Sequence, residues 1–157
     1  DDFEYLSKDA TGAYSASGSI FLDSKCSRDF AEPYEVLMGH HMQYGKMFGD
    51  LDKFLDEGFF DQNQKGTLYL PDRTLDLQIC AVVKADAYDG VYCGTPAGAD
   101  RMPALAEKVA QDAVFQRDGL PSASDQVVAL STCASSGVNE RTLLLCRVIG
   151  ERAADKA

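Results

Sequence analysis

Long apolar runs are missing from this sequence. None approaches the ~18–20 residues that a membrane-spanning helix needs, and no charged-then-apolar leader pattern occurs within the sequence. Basic residues are scarce, with 15 Lys and Arg against 25 Asp and Glu, for a net charge of -10. Phosphate binding needs a positive face, so nucleic acid is disfavoured as the main partner, and so is an anionic lipid surface. The two His are too few for a His-rich metal site. No CxxC occurs, which removes the zinc-ribbon and thioredoxin patterns. Five Cys (26, 80, 93, 133 and 146) form an odd, scattered set and no disulfide framework. Asp86, Asp89 and Asp100 lack calcium-loop spacing and read as solvated acidic loop residues, so no metal is implied. Internal repeats and low-complexity tracts are absent as well.

What is present is ordinary globular material. The chain has 157 residues, 45% hydrophobic, 10% aromatic and 25% charged. That length corresponds to one domain able to bury roughly two-thirds of its unfolded surface.

Hydrophobic patterning then gives the elements. Residues 7–18 are small and polar and read as a loop or hairpin; residues 19–23 (SIFLD) and 34–38 (YEVLM) read as strands. Residues 24–33 read as a loop, which leaves Cys26 exposed. Met47, Leu51, Phe54 and Leu55 recur at helical spacing, and Gly58 is the stop. Residues 67–70 and 73–84 form two strands around the Pro71-Asp72 turn. The second alternates through Leu75, Leu77 and Ile79, then becomes the continuous run ICAVV, a sign of burial on both faces. Residues 86–98 are loop-like, with Gly90, Gly94, Pro96 and Gly98. A helix is predicted over 102–116, with Pro103 near its start and an apolar stripe of Leu105, Ala106, Val109, Ala113 and Val114. Residues 127–131 and the very apolar 141–149 are the last strands, and 151–157 is a polar tail. About seven strands with two or three short helices, not alternating, favour a mainly β (α+β) barrel or sandwich with helices in its connections.

Three residues invite a chemical reading: Cys133 at a strand end (VVALSTC), His40 at another (VLMGHH), and Arg141 at the head of the last strand. A Cys nucleophile needs a His for proton transfer and a donor for the developing oxyanion. Singly, each has a plain structural reading: a small buried hydrophobe, a satisfied turn, an ion-paired strand end. Cys80 and Cys146 lie in apolar strands and read as core.

The local sequences decide the weighting. ALSTC (129–133) followed by Arg141 resembles the TLxTC…R signature of sortases. MGHHMQYGKMFGDLDKF (38–54) resembles the segment around the sortase histidine, YGHNM…MFxxL. LQICAVVKADAYD (77–89) is similar to the family's long central strand, and DFEYLSKD…GSIFLD to the stretch ahead of the histidine strand. The resemblance runs in order from about residue 2 to 151. The helix predicted at 102–116 and GHHM followed by MFGDL point to class B members.

The resemblance implies a sortase-like β-barrel with inserted helices. It makes 1–152 the catalytic domain and 153–157 a polar tail, and it assigns the family's first strand and N-terminal helices to a region ahead of Asp1. It implies Cys133 as nucleophile, His40 as the catalytic histidine and Arg141 as the arginine. His41, where the family often has Asn, and Arg147, beyond the LLLC run, are the rivals. Ser131 and Thr132 flank the nucleophile as substrate contacts, with Met38 (often Tyr in the family), Tyr92 and Cys93 as further pocket positions. The implied activity is cysteine transpeptidation without a cofactor, at an LPxTG- or NPxTx-type sorting motif. The partners would be a surface protein or pilin and a cell-wall precursor amine. The place would be the outer face of a Gram-positive cell membrane, reached through an N-terminal anchor outside this sequence. A pilin-polymerising enzyme and an inactive sortase-like binding module are the alternatives. A papain-type thiol hydrolase is disfavoured because CGSCW is absent.

Overall fold

A computed structural model describes residues 2–93, 101–119, 121–133 and 139–154. The helix α1 (Asp2–Tyr5) leads through an irregular stretch to β1 (Phe21–Leu22) and β2 (Tyr34–Gly39). A 3-10 helix (Gly49–Leu55), α2 (Glu57–Gln62), β3 (Lys65–Tyr69) and β4 (Arg73–Asp86) follow. After α3 (Arg101–Asp112) come β5 (Ala113–Gln116), β6 (Val127–Cys133) and β7 (Glu140–Ala153).

The strands make one seven-stranded sheet in the order β1-β2-β6-β7-β4-β3, with β5 added beside β4. Among the described residues β1 and β3 are its two ends, so the sheet is not closed. All pairings are antiparallel except β2 with β6, which is parallel. The predicted mainly β architecture with helices in the connections is therefore what the chain forms.

Both faces of the central strands are covered. On one face Tyr34, Val36, Val83, Ala129, Leu143 and Leu145 pack with Met102, Leu105 and Val109 of α3. On the other, Leu75, Leu77, Val82, Val128 and Leu144 meet Leu51 and Phe60. This double burial is why ICAVV reads as an unbroken apolar run. A register shift between Ile79 and Ala81 lets Cys80 and Ala81 both join the α3 side. On the second face a cavity of about 420 Å³ is lined from both ends of the sheet, by Ile20 beside β1 and by Gly66 and Leu68 of β3.

Five local expectations are corrected. The segment after the two His is a 3-10 helix, and Gly58 does not end the helical stretch; it lies inside α2, which Asp56 caps by accepting from the Phe59 backbone N–H at 2.9 Å. The helix predicted to reach residue 116 stops at Asp112. Val114 and Phe115 belong to β5, whose alternation and pairing with Ala81–Val83 outcompete helical propensity. The last strand does not end at 149: Glu151, Arg152 and Ala153 pair with Leu75, Thr74 and Arg73. Cys26 is not exposed. It is half-buried against the α3-side core, and its Sγ accepts from the Val36 N–H at 3.2 Å. Gly94, Pro96, Gly98, Asp100 and the last three residues lie outside the described residues.

Candidate active site

Strand direction builds the site. Because β2 runs parallel to β6, both strands finish at the same edge of the sheet, and antiparallel β7 starts there. The register pairs Met38 with Ser131, Gly39 with Thr132, and Cys133 with Arg141. His40 directly follows Gly39. The distant His segment and the consecutive Cys and Arg strands thus deliver their positions to one edge. Arg147, the rival of Arg141, sits at the other end of the β6–β7 ladder, opposite Val127. There it donates to the Gly119 carbonyl at 3.2 Å and to Gln78 Oε1 at 3.1 Å.

The imidazole of His40 is anchored: its Nε2 lies 2.8 Å from the carbonyl oxygen of Leu6. A carbonyl oxygen only accepts, so Nε2 carries the hydrogen in this contact. His41 has a different partner. Its Nε2 is 2.9 Å from Asp52 Oδ2, while Asp52 Oδ1 accepts from the buried Thr142 hydroxyl at 3.0 Å.

The turn between the His pair and the 3-10 helix is tight. A Cβ on Gly49 would stand 2.0 Å from the Met42 carbonyl oxygen, so only glycine lets these segments approach. At Gly39 a Cβ would meet the Phe48 ring at 2.9 Å and Ile20 at 3.3 Å.

The remaining sequence candidates divide. Ser131 and Thr132 are fully buried, and their hydroxyls have no hydrogen-bond partner among the described residues. Met38 is half-buried beside Ser131. Tyr92 is fully buried under α3; its carbonyl accepts from the Tyr34 hydroxyl at 3.0 Å and the Lys108 ammonium lies 5.6 Å from its ring centre. This placement makes the Tyr92 ring part of the core. Cys93 is half-buried. Burial pushes its thiol pKa up, and the Arg141 guanidinium is the main charge opposing that rise. Burial also raises the Cys26 thiol, to about 12, and the Cys80 thiol, to about 11.

Two groups at this edge escaped the sequence reading. The Leu6 carbonyl belongs to the backbone and leaves no side-chain signature. Asp52 looked like the solvated side of a helical stretch; an acidic residue within reach of a second His was the available signal.

Comparisons with known proteins bear on this arrangement. No family model matches the chain. Among curated proteins, sortase B of Listeria monocytogenes is 30% identical over 135 residues, covering 85% of this chain and 54% of that protein. The chain thus spans about half the length of that relative. Among solved structures, sortase B of Clostridium perfringens matches with a TM-score of 0.85 at 27% identity, over 96% of this chain and 83% of that one. Sortase B from the type II pilus of Streptococcus pneumoniae matches with a TM-score of 0.76 at 34% identity, over 90% of this chain and 80% of that one.

The fold is that of a sortase. The chain belongs to the sortase family and is most like its class B members.

Proposed function

We propose that the chain carries the catalytic site of a cysteine transpeptidase acting on a sorting motif of the LPxTG or NPxTx kind. The observation that carries this reading is the common edge of β2, β6 and β7, with Gly39–His40, Cys133 and Arg141 at their ends. Family membership supports the same chemistry.

In this reading the Cys133 thiolate attacks the Thr carbonyl carbon of the motif. A C–S bond forms and the carbonyl oxygen becomes an oxyanion. Arg141 supplies permanent positive charge and forked donors to that oxyanion or to the adjoining backbone. The tetrahedral intermediate collapses, the C–N bond breaks, and the leaving amine takes a proton from His40. An incoming amine then gives a proton to His40 and attacks the thioester carbon. Its new C–N bond forms, the C–S bond breaks, and thiolate returns. A cell-wall precursor amine is the acceptor, and water is a slow substitute. The enzyme would work at the surface of a Gram-positive cell.

An ordinary Cys (≈ 8.5) and an ordinary His (≈ 6.5), titrating independently, would be about 3% thiolate and about 25% imidazolium at pH 7. The reactive pair would then occupy under about 1% of molecules, a cost of about 3 kcal/mol. Positive charge beside the nucleophile is how such a site avoids that cost.

A second reading rests on the likeness to the Streptococcus pneumoniae protein, whose origin in a pilus system favours a pilin Lys as the acceptor amine. The test of both is intact mass after incubation with LPxTG-type and NPxTx-type peptides, with an oligoglycine amine or a Lys-bearing pilin peptide as acceptor. A thioacyl adduct on the native protein, absent from Cys133→Ala, is the expected result, and the acceptor that resolves it separates the two readings. No adduct with any peptide would reduce the chain to a binding module.

A further inference from the structure

Each of His40, Cys133 and Arg141 has a chain neighbour that bears on the edge: His41, Thr132 and Thr142. Thr132 and Thr142 are register partners, and both are fully buried. One carboxylate, on the 3-10 helix, reaches two of the three: Asp52 Oδ2 meets His41 Nε2 at 2.9 Å, and Asp52 Oδ1 accepts from Thr142 Oγ1 at 3.0 Å. His41 and Thr142 are the chain neighbours of His40 and Arg141.

We propose that Asp52 is a positioning residue: by holding His41 and Thr142 on one carboxylate, it fixes the spacing between His40 and Arg141 across the edge where Cys133 ends β6. The proposal rests on the transpeptidase reading above for what that spacing serves.

The argument is geometric. β2 and β7 are not neighbours in the sheet; β6 lies between them. His40 lies beyond the last paired residue of β2; its carbonyl accepts from the Phe48 N–H at 3.0 Å and His41 bridges to Met47, ties that fix it to its own turn and not to β7. Its own anchor, the Leu6 carbonyl, comes from the α1 side and says nothing about β7. The Asp52 carboxylate is a link that crosses β6 and ties the His segment to the Arg strand. One arm is an ion-pair contact at 2.9 Å and the other a hydrogen bond at 3.0 Å from a fully buried hydroxyl. A 3-10 helix locked by Leu51 in the core and by the close approach of Gly49 to Met42 gives the carboxylate a rigid mount. A misplacement of about 1 Å at a reacting group costs on the order of 100-fold in rate, so such a tie acts on turnover more than on binding.

Thr142→Val is the cleanest probe, because it keeps shape and charge and deletes one arm. Its kcat with a sorting peptide should fall about tenfold with KM within twofold, and Thr142→Ser, which restores the hydroxyl, should recover most of the loss. Asp52→Asn and Asp52→Ala should lower kcat further, on the order of 100-fold for Ala. In parallel, peptide mapping after iodoacetamide at pH 7 reads the rate of Cys133 alkylation without any substrate, and Thr142→Val should slow it several-fold. Turnover and alkylation unchanged within twofold in Thr142→Val and Asp52→Asn would overturn the proposal. So would a loss that Thr142→Ser fails to rescue, or one in which KM rises and melting temperature falls in step with kcat. If the native protein forms no thioacyl adduct, the transpeptidase reading fails alone; the alkylation arm still decides whether Asp52 positions the edge.

Discussion

Cys133 and Arg141 are cross-strand partners on the last paired rung of the β6–β7 ladder, directly opposite one another at the sheet edge where β2 also ends. Directly opposed residues in an antiparallel pair stand about 5 Å apart at the backbone, close enough for one side chain to set the charge felt by the other. A guanidinium there favours thiolate over thiol. Arg141→Ala is therefore expected to move the pH midpoint of Cys133 alkylation upward and to lower kcat/KM by about 100-fold or more. Arg141→Lys should keep much of the midpoint, since charge remains, but recover little turnover, since the fork of donors is gone. A midpoint that stays put in Arg141→Ala would remove Arg141 from this role.

Gly39 sets where His40 begins. The Phe48 ring covers Gly39 so closely that an added methyl group would stand 2.9 Å from Cδ2, with Ile20 at 3.3 Å on the way. A ring held between sheet and 3-10 helix does not slide aside freely, so Gly39→Ala should cost about 1–3 kcal/mol by urea denaturation. Activity should fall beyond what that loss explains, because His40 follows immediately. Adding Phe48→Leu should return part of both. Full stability and activity in Gly39→Ala would show that the ring is not a fixed wall.

The strands were legible because burial writes itself as period two or as an unbroken apolar run, and β2, β4, β6 and the apolar part of β7 are of those kinds. What escaped was decided by partners that lie elsewhere in the chain. Residues 151–153 look like a polar tail until β4 is seen to supply ladder partners for them. Residues 113–116 fit a helix until Ala81–Val83 offer an edge to pair with. Gly58 looks like a stop, yet the Asp56 cap and the burial of Phe60 carry α2 through it. At the candidate site, the motifs around His40, Cys133 and Arg141 were visible in order along the chain, and the topology explains why they share an edge. The Leu6 carbonyl and the bridging role of Asp52 were not, since one is backbone and the other depends on a fold-level contact with Thr142.

The buried thiols predict how the fold fails in alkali. Cys26 is pushed up to about 12 and Cys80 to about 11 from an ordinary value of 9.0, both mainly by burial; Cys146 is raised as well. Below pH 9 each thiol is protonated in folded and unfolded chains alike, and their contribution to stability is fully present. Above pH 9 the unfolded chain releases these protons while the folded chain keeps them, so the unfolded state gains and stability falls as pH rises. The loss should therefore grow between pH 9 and about pH 12. Urea midpoints measured across that range should decline more steeply for the native protein than for Cys26→Ala or Cys80→Ala, each of which removes one titrating group. At pH 7 the same substitutions should be mildly destabilising or neutral, because Cys80 also donates its S–H to the Leu145 carbonyl at 3.1 Å. Parallel declines in all three proteins would mean that some other group governs alkaline unfolding.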